Sequence, residues 1–247
     1  MIHTIKPNPG KQIEIDLDGA SYARYPIKTE VFKSGDNYSE KIAKIVKEAI
    51  VRCLMTNDQS PTWYVIVSEK IVAISQGRSY LIKDIKPSWF ATTLSKYVRK
   101  TPYGIGLGSP WTMQLAIQEV GLSRILFASV ISIATKPFGL RGIFYHIAGR
   151  RAAAIDGPTS YSLYPSNVSA KLAPKDPQKA AERIKVQISK SKVQSSNFGG
   201  VVIIDANDLG RNVLGNATDK PDSFFEEVMR DNPMGQGRER TPVILLY

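Results

Sequence analysis

The sequence predicts an α+β fold in which mixed sheets pack against helices. Three observations predict it. An alternating stretch at 12–17 and apolar runs at 63–67 and 201–204 have the length and composition of strands. Amphipathic stretches at 42–54 and 177–188 repeat apolar residues at helical spacing. These elements follow one another without a strict βαβ rhythm. The 247 residues suit one domain, 1–247, with sub-lobes at 1–150 and 151–247. With 43% hydrophobic and 22% charged residues, the composition excludes a disordered, collagen-like or coiled-coil chain.

Residues 12–17 alternate Ile13, Ile15 and Leu17 with polar residues, as a half-buried strand does. A turn at Ser34-Gly35-Asp36-Asn37 precedes a helix whose stripe is Ile42, Ile45, Val46, Ala49, Ile50, Cys53 and Leu54. Cys53 belongs to that stripe and is expected to be buried and inert. Asn57–Pro61 reads as a loop. Trp63–Val67 is an apolar strand running into Ser68-Glu69-Lys70, and Ile71–Ile74 is expected to continue it as far as Gly77-Arg78.

Residues 88–100 are expected to be helical. The glycines of Thr101–Pro110 are spaced neither as a P-loop nor as a dinucleotide fingerprint, so a plain loop is expected. Trp111–Val120 reads as a helix stopped by Gly121. Arg124–Ile133 and Gly142–Ile147 read as strands, with His146 in a structural place. Ala152–Pro158 leads into a polar-aromatic loop that reaches Asn167. Asp176 as N-cap and Pro177 at the first helical position start a helix that buries Ala180, Ala181, Ile184 and Ile188. Gly199-Gly200 introduces the strand Val201–Ile204, which ends on Asp205. A turn at Asp231–Gly237 and a strand at Pro242–Tyr247 close the chain.

The net charge is 33 − 22 = +11, so the chain attracts anions. Its basic residues form no block, which favours a basic cleft over a small anionic substrate and tells against a nucleic-acid arm. One cysteine excludes an internal disulfide and a thiolate zinc site, and two histidines exclude a multi-histidine centre. A metal would be held by oxygen, which favours Mg²⁺ or Mn²⁺. The longest apolar run, Ile125–Ala134, falls short of the about 20 residues of a bilayer span, and the N-terminus has no apolar signal core. A cytoplasmic protein without a membrane partner is expected.

Two aspartates end apolar segments, Asp156 after Ala-Ala-Ala-Ile and Asp205 after Val-Val-Ile-Ile. Carboxylates at strand ends are rigid, and two that converge bind a divalent cation. Either alone more often serves merely to cap a turn or helix. Beyond Asp205 the run to Asn212 is rich in acceptors and includes Arg211, whose fork suits phosphate or carboxylate.

Six segments, in order over about residues 28 to 245, resemble the coenzyme F-420 gamma-glutamyl ligase family. They are Lys33-Ser-Gly-Asp-Asn37; Val65–Arg78; Ile155-Asp156 with the later Ser166-Asn167-Val168; Leu172–Pro177 with Ala180–Ile184; Val202–Asp205 with Gly210-Arg211; and Met234-Gly-Gln-Gly237 with Thr241-Pro-Val243. The resemblance implies a homodimeric α+β ligase-like fold. It implies an enzyme that uses GTP to phosphorylate a substrate carboxylate, after which L-glutamate attacks the acyl phosphate to form an amide. Carried over by position, Asp156, Asp205 and Gln236 would hold Mg²⁺ or Mn²⁺. Asp156, Asp205 and Arg211 would be catalytic. Glu69, Lys70, Asn167, Gly235, Gln236 and Gly237 would bind the nucleotide. The basic chain suits these anionic ligands, and acyl-phosphate chemistry needs charge clamps more than a protein nucleophile.

The chain departs from the family pattern in places. Ile74 stands where the family has a nucleotide-binding lysine, Gln236 replaces an acid, and Ala206 replaces a hydroxyl residue. Nine residues, Gly157–Pro165, are inserted after Asp156, and the stretch from Arg211 to Met234 is short. A degenerate ligase-like domain that binds an anionic ligand, and a basic nucleic-acid binder, therefore stand as alternatives.

Overall fold

The structure is a computed structural model that describes residues 6–53, 62–98, 106–140, 142–158, 164, 166–190, 197–207, 210–235 and 237–247. The strands are β1 (Glu14–Leu17), β2 (Ala20–Ile27), β3 (Trp63–Ser68), β4 (Ser79–Leu81), β5 (Ser169–Lys171), β6 (Phe198–Ala206), β7 (Arg211–Ala217) and β8 (Val243–Leu246). The helices are α1 (Tyr38–Cys53), α2 (Glu69–Ser75), α3 (Trp89–Leu94), α4 (Pro110–Val120), α5 (Leu122–Thr135), α6 (Ile143–Ala148), α7 (Arg150–Ala153), α8 (Pro177–Lys190) and α9 (Asp222–Val228). The mixture is α+β, as predicted. It forms two compact units, one of Met1–Gly77 with Pro174–Tyr247 and one of Arg78–Ala173. The division does not fall at residue 150, because the segment after Pro174 returns to the sheet begun by the N-terminal strands.

The first unit is built on a sheet of order β1-β2-β8-β3-β6-β7. Its centre is the parallel pair β3 and β6, flanked by antiparallel neighbours. Both strands are apolar without alternation because both faces are covered. One face, with Val65, Val67, Val201 and Ile203, packs against Ile42 and Val46 of α1 and Ile184 and Ile188 of α8. The other, with Tyr64, Ile66, Val202 and Ile204, packs against Phe225 and Val228 of α9. The predicted faces of α1 and α8 are the buried ones. At the start of α1, Asn37 Oδ1 accepts from the backbone of Glu40. The Cys53 side chain, Leu54 and the loop Asn57–Pro61 lie outside the described residues.

Residues 71–74 correct the sequence reading: they continue no strand but form α2. A short apolar run does not discriminate strand from buried helix. The deciding signals are local, since the Ser68 hydroxyl caps the helix by accepting from the Lys70 amide and Glu69 occupies the first turn.

The second unit is mainly helical. Ile85, Met113, Leu115, Ile125, Ala152 and Ile155 share its core. The ribbon β4–β5 lies at its base, and Arg78 ties the unit's two ends by donating to the Ala173 carbonyl while pairing with Glu119 at 2.9 Å. Two predicted strands are helices here. Arg124–Ile133 lies in α5 and Gly142–Ile147 in α6. Their β-branched residues suggest strands, but Ile125 and Ala128, three apart, are the buried pair in α5, and that is helical spacing. Positive-φ glycines at 121, 142 and 149 separate the helices. The predicted helix 88–100 is shorter, α3 followed by a 3₁₀ turn at Ser95–Tyr97. Residues 101–105 and most of the polar-aromatic loop lie outside the described residues.

Candidate active site

The strand directions gather the site of the first unit at one sheet edge. Because β3 and β6 are parallel, their carboxyl ends share that edge, which is where open α/β sheets bind ligands. Ser68 pairs with Ile204, so Glu69 and Lys70 on one side and Asp205 on the other follow directly beyond the ladder. Strand β7 runs back beside β6, with Ala206 opposite Arg211, so Arg211 opens at the same edge. It is exposed and donates to the Arg230 carbonyl at 3.0 Å. Glu69 is buried and Asp205 half-buried, each with a partner of its own.

The turn before β8 reaches this edge too, since the Ser68 amide donates to Pro242 O at 2.8 Å. It is wired from several sides. Asn8 donates to Pro233 O and to the Thr241 hydroxyl, both at 2.8 Å, and Thr241 donates to Met234 O at 2.7 Å. Gly235 has φ 75°, which a side chain rarely adopts. The Glu239 carboxyl lies over the turn: a Cβ on Gly235 would stand 2.8 Å from its carbon, and one on Gly237 3.1 Å from an oxygen. Gln236 lies outside the described residues. Spacing does not reveal Glu239, because it stands outside the Gly-Gln-Gly turn in sequence and folds back on it.

Glu239 also lines a cavity of ≈ 890 Å³, within the size range of small-molecule sites. Ile27 at the end of β2, the segment after it (Lys28, Thr29, Glu30), α1 (Lys41, Lys44, Glu48) and Arg238 line it as well. Five cations, Lys6, Lys28, Lys41, Lys44 and Arg238, face three acids, Glu30, Glu48 and Glu239, so its lining is net positive. Strands stand about 4.8 Å apart, so the three steps from β2 through β8 and β3 to β6 cover about 14 Å. The basic cavity and Asp205 thus lie along one edge of one sheet.

A second pair of predicted residues lies in the other unit. Asp156 bridges Lys171 through both backbone groups, and its carboxylate, 61% exposed, accepts from Lys171 Nζ at 3.2 Å. Asn167 sits in a short 3₁₀ turn; its Oδ1 is shielded from solvent and has no hydrogen-bond partner among the described residues. Asp156 and Asp205 therefore belong to different units. Among the described residues no three acids, histidines or cysteines form a group able to hold a metal.

The family model of the F420-0:gamma-glutamyl ligases matches residues 26–212. The chain belongs to this family. No curated protein matches it. The match runs from the end of β2 to the start of β7 and so includes Glu69, Lys70, Asp156, Asn167, Asp205 and Arg211. Within this F420-0:gamma-glutamyl ligase family chain, Ile74 faces inward and packs in the main core, 8% exposed. No phosphate contact arises from that position. Arg78, four residues on, donates to the Ala173 carbonyl and pairs with Glu119.

Proposed function

We propose that the chain forms an amide between a carboxylate substrate and L-glutamate, using GTP to activate the carboxylate. The carrying observation is the shared edge, where Glu69, Lys70, Asp205, Arg211 and the turn before β8 lie at one end of a sheet that also carries a net-positive cavity. In this reading the cavity takes the polyanionic nucleotide, and the cations of its lining balance the phosphates. The substrate carboxylate oxygen attacks the terminal phosphorus, and the nucleoside diphosphate leaves. The amine of glutamate then attacks the acyl carbon, phosphate departs, and the amine loses its proton to solvent. Lys70 and Arg211 neutralise charge on the transferring group, which is the main requirement of such transfer. Asp205 would hold a nucleotide-borne Mg²⁺ or Mn²⁺, which when bound supplies charge neutralisation on the phosphates.

The test is incubation with F420-0, L-glutamate and GTP or ATP, with product read by mass spectrometry and nucleotide hydrolysis followed in parallel. Glutamate-dependent hydrolysis with an amide product supports the proposal. A second reading, anion binding without turnover, is favoured by the burial of Ile74 in the core. Nucleotide binding in calorimetry with neither product nor hydrolysis would establish that reading instead. Homodimerisation is part of the same proposal and is checked by light scattering.

A further inference from the structure

Helix α5 is apolar on two opposite sides. Ile125 and Ala128 are fully buried in the second unit's core. On the other side Phe127, Val130 and Ile133 are 59%, 62% and 63% exposed, and Phe138 and Leu140 just beyond are exposed as well. A surface helix ordinarily turns charged residues outward, and one that is apolar all round is found inside a core or in contact with lipid. The sequence around it has a one-signed charge. Residues 120–155 hold Arg124, Lys136, Arg141, Arg150 and Arg151 and no aspartate or glutamate.

We propose that this face of α5 docks on an anionic lipid surface, lying in the interface and not crossing it. Apolar side chains flanked by cations are the composition of interfacial helices, and anionic headgroups attract the basic flank. Charge argues against a second copy as the occupant, because two such faces would bring like charges together. No single described helix is long and apolar enough to cross a membrane, and α4, which forms a bent apolar pair with α5, buries Thr112, Met113, Leu115 and Ala116 in the core. The absence of a spanning segment led the sequence reading to expect no membrane partner, but a docking face needs no such segment.

The test is co-sedimentation of the full chain with equimolar phosphatidylcholine–phosphatidylglycerol vesicles and with phosphatidylcholine vesicles. The expected result is binding to the anionic vesicles, weakened about tenfold or more by the double variant Phe127→Ser, Ile133→Ser. Lys136→Glu and a rise in salt from about 0.1 M to about 1 M weaken it too. The replaced residues are exposed, and an unchanged melting temperature verifies folding. Absence of binding, equal binding to neutral vesicles, or binding indifferent to the double variant overturns the proposal. So does a wild-type dimer that the double variant dissociates in light scattering without any vesicle binding, which would assign the face to a second copy.

Discussion

Ser68 and Ile204 pair as the last rung of the parallel ladder between β3 and β6. Glu69 and Lys70 therefore leave the sheet at its carboxyl edge beside Asp205, which β7 still pairs through Asn212. The hydroxyl of Ser68 also caps α2 by accepting from the Lys70 amide, so the residue that ends the strand also fixes the start of the helix at Glu69. This is the geometry on which the proposed ligase chemistry rests.

Asp205→Asn keeps the side-chain shape and removes the charge. Glutamate ligation should fall about 100-fold or more, equivalent to about 3 kcal/mol of transition-state stabilisation. The melting temperature should stay close to that of the parent. Steady-state kinetics with and without added Mg²⁺ check this, and an unaltered rate removes Asp205 from the machinery.

Asp156 is engaged differently. The carboxylate end of its pair with Lys171 is largely exposed while the lysine, itself buried, has a further interaction, so solvent screening holds the pair to about 1 kcal/mol. Asp156→Asn should therefore leave urea unfolding nearly unchanged. A large loss of ligation with that unchanged stability would assign Asp156 a part in catalysis. Unchanged activity would leave it a bridge to Lys171.

Gly200 has φ 134°, and a Cβ there would stand 2.2 Å from Ala217 O. A backbone atom cannot swing aside as a side chain does. Gly200→Ala should destabilise the chain by about 2 kcal/mol or more through combined strain and overpacking. Gly210→Ala, where a Cβ meets open space, is the control in chemical denaturation.

Arg24 is 1% exposed and pairs with Asp231 while donating to Val228 O and Gln12 O. It joins β2 to the chain after α9. Arg24→Met should destabilise by about 3 kcal/mol or more, since Asp231, Val228 O and Gln12 O lose their donor together. Urea midpoints measure it, and a change below about 1 kcal/mol would contradict the role.

Acid should weaken the fold. Burial pushes the Asp231 carboxyl up, but the hydrogen bond and charge of Arg24 outweigh it and hold the group below its ordinary value. The hydrogen bond from Lys41, then that from the Lys33 amide, hold Asp36 low in the same sense. Their stabilisation is complete above the unfolded carboxylate pKa of about 3.9 and is lost as pH falls through the lower folded values. The stability difference between the parent and Asp231→Asn should thus shrink below pH of about 4. At the alkaline end, burial and then Asp219 push Tyr64 up to about 12. Its neutral form stabilises the fold below pH of about 10 and ceases to do so as pH rises to about 12.

Local chemistry made much of the first unit readable. The stripes of α1 and α8 and the apolar run of β6 stand out because burial on a helix or strand repeats at a fixed period. The same local rules fail at Ile71–Ile74 and Arg124–Ile133, where an apolar run has no contrasting polar face and strand and helix look alike. There the core decides, by accepting Ile125 and Ala128 from one helical side. Linear order likewise showed Asp205 and Lys70 as separate chemical groups, and only the parallel register of β3 and β6 makes them neighbours. Glu239 could not be found by spacing because it turns back over Gly235 and Gly237. The sequence carried composition, charge and periodicity, each a property of neighbouring residues. Which distant residues meet depends on strand pairing and on which faces are covered, and those are settled only when the whole core packs.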